Sequence, residues 1–194
     1  MVSVDEANTP LSPDEQAALI PNLSTQQELN EWERENILSG RKWALSKRRI
    51  RSQDLFIQPY VRDLHRRMFD RTWKWAGAFR TTEKNIGVPA HEIIERLENL
   101  LRDARYWAEH QTHPADEIAV RLHHGLTLVH PFPNGNGRHA RLMADVVAMK
   151  FGQPVFSWGA ADLMRHGGSR DRYIGALRAA DARDIQPLLI FSRS

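Results

Sequence analysis

The sequence predicts a mostly α-helical domain with one short β-hairpin. Three observations carry that prediction. Apolar side chains recur at helical spacing through three successive runs between residues 93 and 149. One segment, "WKWAGAFRTTEKNIGVP" (73–89), breaks that spacing and carries two Gly, a Thr-Thr pair and a polar Glu83-Lys84-Asn85 centre, as a hairpin would. There is no Cys, which excludes a disulfide-stapled framework, zinc-thiolate sites and thiol nucleophiles.

The elements follow in order. Residues 1–12 read as a loose arm. Ser24 is placed to cap a helix over about 25–39 that Gly40 closes. The densest basic run, "RKWALSKRRIR" (41–51), is read as a solvated helix face rather than a DNA-binding arm. "SQDLFIQPYVRDLHRRMFD" reads as a second helix that Pro59 interrupts early. The clearest helix places Ile93, Ile94, Leu97, Leu100, Leu101, Ala104, Trp107 and Ala108 on one face. Pro114 opens the next, whose apolar positions Ile118, Leu122, Leu126 and Val129 lead to His130. Leu142, Met143, Val146, Val147 and Met149 then resume helical spacing. "SRDRYIGALRAADARD" reads as a later helix with Ser169 as its cap, and "IQPLLIF" as a short final one. Six to eight helices result.

With 194 residues and 41% hydrophobic content, the chain is long enough for one domain with a real core. Six Trp and seven Phe can anchor it. The N-terminus lacks the basic-then-apolar order of a signal peptide, and no apolar run approaches the roughly 20 residues of a membrane span. A soluble cytoplasmic protein with no membrane partner is expected. The net charge of +3 is too mild to single out nucleic acid.

"HPFPNGNGRHAR" (130–141) joins a helix end, a turn and a new helix start. The new helix begins with free backbone N–H groups and a dipole that favours an anion. Gly135 and Gly137 let a phosphate approach the backbone, and Asn136 offers a side-chain donor. Arg138 and Arg141, three apart, share a helix side, and two guanidinium forks there can grip phosphate oxygens. No acidic residue in the stretch offsets them. His130, with an ordinary pKa of about 6.5, is expected to be pushed toward its neutral, basic form by the two Arg. A base beside an anion cradle suits transfer of a phosphorus-containing group to a hydroxyl. The competing view is a turn with solvated Arg, but so many features in twelve residues favour a site.

The stretch resembles the signature of the Fic/Doc family, His-x-Phe-x-Asp/Glu-Gly-Asn-Gly-Arg-x-x-Arg, at His130, Phe132, Gly135, Asn136, Gly137, Arg138 and Arg141. "WAGAFR" (75–80) looks like the family's approach to its β-hairpin flap, and "YIGALRAADARDIQPLLIF" like its closing helices. The resemblance covers about 53–191, which sets a Fic domain at 53–194 behind an N-terminal arm and helix at 1–52. "HPFPNGNGRHARL" with "ELNEWERENI" upstream is similar to the branch called mobile mystery protein B, which implies a helix-turn-helix companion or antitoxin as partner. The family implies an all-α Fic fold and transfer of AMP from ATP to a Ser, Thr or Tyr hydroxyl of a target protein. His130 would then be the catalytic base and Phe132 the loop's anchor in the core. Asn134, Gly135, Asn136 and Gly137 would lie along the nucleotide, with Arg138 and Arg141 on its outer phosphates. The flap, through Thr81, Thr82, Ile86, Gly87 and Val88, would pin an extended target segment. Gly137 stands where the family's kinases carry Lys, which points to AMP transfer over phosphorylation.

Asn134 departs from the family's acidic position, where a carboxylate would hold Mg²⁺. An amide oxygen brings no charge, so weaker metal binding and slower turnover are expected. The alternative is therefore a catalytically weakened nucleotide-binding regulator or a toxin-like module held by an antitoxin. Many members are silenced by a glutamate in a Ser/Thr-x-x-x-Glu-Gly/Asn pattern that pairs with the second signature Arg. "EWERENI" supplies Glu35-Asn36, so Glu35 is the inhibitory candidate and Arg141 its partner; an ordinary exposed Glu on an amphipathic helix is the competing reading. His123 and His124 point about 100° apart on a helix and do not build a metal site with His130 and His139. Trp73 and Trp75 are expected to pack rather than stack on bases, and Asp162, Asp171 and Asp181 to cap or lie at the surface.

Overall fold

The computed structural model describes residues 17–160 and 168–194. The 1–12 arm and Asp162 lie outside the described residues, as does the side chain of Ser169. The fold is all-α, as expected. Its helices are α1 (Gln26–Ala44), α2 (Lys47–Ser52), α3 (Gln58–Phe69), α4 (Ile93–His110), α5 (Ala115–Val129), α6 (Asn136–Lys150), α7 (Gly168–Asp181) and α8 (Gln186–Arg193), with a 3₁₀ turn at Ala90–Glu92. None of the described helices is long and apolar enough to cross a membrane.

Two boundaries differ from the sequence expectation. Helix α1 is capped by Thr25, whose hydroxyl accepts from the Glu28 N–H while the Glu28 carboxylate accepts from the Thr25 N–H. It runs through Gly40 instead of stopping there. A Cβ on Gly40 would meet the Arg67 carbonyl at 2.8 Å, so this glycine lets α1 approach the backbone of α3. Pro59 opens α3 in its first turn rather than interrupting it, because the missing N–H is one the helix would leave free anyway.

Helix α6 lies at the centre. Leu142, Met143, Val146 and Val147 are all buried, and α1, α3 and α5 pack around it. Helix α4 covers α5, while α8 closes the far side against α5 and α7. Leu29 and Ala44 of α1 belong to the same core. On that helix Leu29, Glu33, Asn36, Gly40 and Ala44 form the inward stripe at helical spacing. Two of the five, Glu33 and Asn36, are polar, and Glu33 reaches the site.

The expected hairpin takes another form. Residues 81–89 make no strand ladder, and an isolated bridge pairs Leu19 with Trp73. The segment is a loop, drawn shut across its base by the side chain of Arg80.

Candidate active site

Helix α5 ends on His130, which takes the left-handed conformation (φ 51°, ψ 58°) and so turns the chain sharply out of the helix. The stretch 131–135 then crosses to α6. Phe132 is fully buried, stacked on His65 at 3.7 Å between ring centroids. It plants the loop in the core, as its place in the signature suggests.

Asn136 is spent on the loop itself. Its Nδ2 donates to the Phe132 carbonyl at 2.7 Å, and its Oδ1 accepts from the Phe132 N–H at 2.9 Å. The side chain is buried, so it is not the phosphate donor that the sequence suggested. What faces the site is backbone. With Gly135 capping α6, the N–H groups of Asn136, Gly137 and Arg138 have no partner within the helix. Gly135 sits at φ +77°, and a Cβ there would meet the Phe69 ring at 2.5 Å. Gly137 has open space where its Cβ would be, so the cradle's mouth is clear.

His65, which the sequence reading passed over, braces this loop from beneath. Its Nδ1 accepts from the Gly77 N–H at 3.0 Å, and its Nε2–H donates to the Asn134 carbonyl at 3.1 Å. One imidazole thus ties the root of the flap to the signature loop in a single tautomer. Burial, then the neighbouring His139, hold its pKa well below the ordinary histidine value.

His130 is half-buried, and its pKa is lowered. The first cause is burial, followed by the charges of Arg80 and Lys84; a backbone hydrogen bond at Thr127 works the other way. The expectation that Arg138 and Arg141 would do this is corrected: the cations acting on the base belong to the flap. The result is still a neutral imidazole, the form a general base needs.

Arg138 and Arg141 do come together. Both line one cavity of about 210 Å³ with Arg41, Met68 and Trp158. The Arg141 guanidinium lies over the Tyr173 ring at 5.6 Å, and its Nε reaches the Gly137 carbonyl at 3.3 Å. Arg138, in contrast, is neutralised. It forms an ion pair with Glu33, whose other oxygen accepts from Trp73 Nε1 at 2.7 Å. Arg41 pairs with the buried Asp145 at 2.8 Å.

Glu35 is corrected by the same geometry. It lies exposed, on the face of α1 turned from the core, and it is its backbone carbonyl that Arg71 approaches at 3.4 Å. Its neighbour Asn36 points inward and holds the 70–72 turn through Arg71 N–H and Thr72 Oγ1. The carboxylate on a signature arginine is Glu33, and the arginine is the first of the two. Helical phase was the signal available: Glu33 is four residues past Leu29 on the inward stripe, and Glu35 is not.

The residues do not fit a protein-held Mg²⁺. Asn134 Oδ1 accepts from the Gly135 N–H at 2.6 Å, which turns the amide into its own loop. The described residues hold no group of three or more His, Cys, Asp or Glu arranged for a metal. His123 bonds the Tyr173 hydroxyl, His124 pairs with Asp181 and His139 bonds the Val61 carbonyl, so these histidines are committed elsewhere. Trp73 and Trp75 stack on each other at 4.9 Å, as packing groups. The expected flap residues Thr81, Thr82, Ile86 and Gly87 are exposed, and Val88 is half-buried.

Residues 56–148 match the family model described as Fic/DOC family. The chain is 28% identical over 145 residues to the protein adenylyltransferase Fic of Nematostella vectensis, covering 73% of this chain and 32% of that protein. Against the protein adenylyltransferase fic-1 of Caenorhabditis elegans, identity is 28% over 134 residues, covering 66% and 25%. The chain thus spans a third or less of the length of these relatives. Among solved structures it is similar to a Fic-domain-containing signalling protein from Bacteroides thetaiotaomicron (TM-score 0.71, 18% identity, 88% of this chain and 70% of that one). It is also similar to the BepC protein of Bartonella tribocorum with bound AMPPNP (TM-score 0.70, 16% identity, 97% and 92%). These two likenesses are of fold.

Proposed function

We propose, from the match of residues 56–148 to the Fic/DOC family model, that the chain is a nucleotidyltransferase that moves AMP from ATP to a hydroxyl side chain of a target protein. The observation that carries the reading is one junction. It sets a neutral, half-buried His130 at the end of α5, and free N–H groups with two arginines at the start of α6. The relatives named protein adenylyltransferase support the reaction class.

In this scheme ATP is the substrate. The backbone N–H groups at Asn136 to Arg138 face the α-phosphate, and Arg138 and Arg141 take the outer phosphates. The target hydroxyl oxygen attacks the α-phosphorus and gives its proton to His130. The bond from that phosphorus to the bridging oxygen breaks, and pyrophosphate leaves. A neutral His130 can take that proton without an ionic competitor, and the fixed N–H groups stabilise charge where it grows. The flap at 81–88 holds an extended piece of the target.

Glu33 is the brake in this reading. While it pairs with Arg138, one of the two phosphate-binding guanidinium groups is occupied by a carboxylate, so the outer phosphates bind more weakly. A second reading, a nucleotide-binding regulator with little turnover, draws its support from Asn134, whose amide brings no charge for a metal and whose Oδ1 already accepts from the Gly135 N–H. The branch resemblance and a helix-turn-helix or antitoxin companion rest on "ELNEWERENI" and "HPFPNGNGRHARL" alone, and co-purification with that companion tests them.

The test of the main reading uses α-labelled ATP with Mg²⁺ or Mn²⁺, beside His130→Ala. Label that depends on His130 is expected. Nucleotide binding without label would favour the regulator.

A further inference from the structure

Arg80 is the residue around which the flap and the base are assembled, and nothing in the transfer scheme uses it. Its side chain is 1% exposed. Each arm of the guanidinium is committed to a backbone carbonyl. Nε donates to the His130 carbonyl at 2.8 Å, Nη1 to Thr82 at 3.0 Å, and Nη2 to Val88. The Arg80 backbone N–H adds a bond to the Pro131 carbonyl at 2.9 Å. The carboxylate nearest this charge is that of Glu83 at 3.9 Å, itself 68% exposed.

That pattern is informative about role. A guanidinium with its fork already filled by carbonyls is not a phosphate ligand in waiting. Thr82 and Val88 are the two ends of the flap loop, so the same planar group fixes the loop's width. The His130 carbonyl belongs to a residue in the left-handed conformation at a helix end, where the last carbonyls lack helical partners and a cation is favoured. Gly87 closes the unit: a Cβ there would meet His130 Cβ at 2.6 Å and Arg80 Nη2 at 2.9 Å. The returning arm of the flap therefore lies directly on the base.

We propose that Arg80 is a positioning residue that locks His130 in its left-handed pose and holds both ends of the target-docking flap against it, so that the base and the docked segment keep one register. The three carbonyls are met by three separate nitrogens held in one plane; an ammonium has three donors, but all on one nitrogen at the end of a flexible stem, so it does not span the same three positions. The charged groups facing His130 are then Arg80 and Lys84, with Glu83 at the flap's outer rim.

The proposal rests on His130 being the base, and its test needs no transfer, so a failed labelling assay would end that reading and leave this one measurable. The test compares wild type, Arg80→Lys and Arg80→Ala by two readouts: the His130 ring titration by NMR, assigned with His130→Ala, and the rate of proteolytic cutting within 82–88. In Arg80→Ala the titration moves up toward 6.5, cutting rises roughly tenfold, and millimolar guanidinium reverses both. Arg80→Lys keeps the low titration, yet its flap is cut faster than wild type; if the Ala variant fails to fold, this result decides. Wild-type titration and cutting in both variants would overturn the proposal. So would changes that follow global unfolding and ignore guanidinium, which would make Arg80 a structural residue only.

Discussion

Glu33 of α1 and Arg138 of α6, 105 residues apart in sequence, form an ion pair at the mouth of the anion cradle. Glu33 is 4% exposed and held from behind by Trp73 Nε1. A phosphate that arrives at Arg138 must displace a carboxylate that is already in place. Glu33→Gln keeps an acceptor for Trp73 and removes the charge. It is expected to tighten ATP binding by about tenfold, or about 1.4 kcal/mol, and to raise transfer. Glu35→Gln, on the outer face, is expected to change neither. Isothermal titration with a non-hydrolysable ATP analogue reads the affinity, and α-labelled ATP reads the transfer.

The base predicts a pH profile. His130 has a lowered pKa, so its neutral form persists below the ordinary histidine range. The acid limb of kcat/KM for transfer is expected to have its midpoint below pH 6.5. A midpoint at or above that value would mean that burial and the flap cations do not act on the base.

Stability should weaken in acid for a related reason. His65, His123 and His139 are buried and neutral, with His123 lowered to about 3 and His139 to about 4, in each case chiefly by burial. Each folded-state pKa lies below the unfolded value of about 6.5. The unfolded chain therefore binds more protons between the two values, and stability falls as pH drops through that window. Above 6.5 these groups are expected to contribute no pH dependence. Denaturant melts at pH 7.5 and 5 measure the loss. His139→Gln, which can still donate to the Val61 carbonyl, should remove that residue's share of the loss and leave the share of His65 and His123.

Gly135 predicts a local cost. Alanine there has to adopt φ +77° and drive its Cβ into the Phe69 ring. The expected loss is roughly 1–3 kcal/mol, seen as a lower Tm. Gly137→Ala, whose Cβ meets open space, should leave Tm nearly unchanged while weakening nucleotide binding.

Asn134→Asp tests the weakened-metal idea. A carboxylate at this exposed position adds the charge that a hard cation prefers. Transfer is expected to rise and to saturate at lower Mg²⁺. Unchanged metal dependence would show that the amide is not what limits the site.

Much of this was legible in the chain. Helical periodicity located α4, α5 and α6, because their apolar stripes face one core and nothing competes with them. The twelve residues from His130 to Arg141 carried the cradle, since its parts are local. What stayed hidden depends on contacts across the fold. Gly40 looks like a helix stop until α3 is seen against it. Asn136 looks like a free donor until Phe132 claims both its polar atoms. Arg80 and His65 bind backbone carbonyls and N–H groups, which leave no mark in a sequence. Glu33 was within reach of a phase argument, but the Glu35-Asn36 pair two residues on fits the family's inhibitory pattern better, and that pattern carries no helical phase.

In the proposed reading, this site moves AMP from ATP with His130 as base and Glu33 as restraint. The most direct measurement incubates Glu33→Gln with α-labelled and γ-labelled ATP in parallel, with and without His130→Ala. Label from the α position alone, lost with His130→Ala, is the predicted result. Retention of the γ label, or α label that survives the loss of His130, would contradict it.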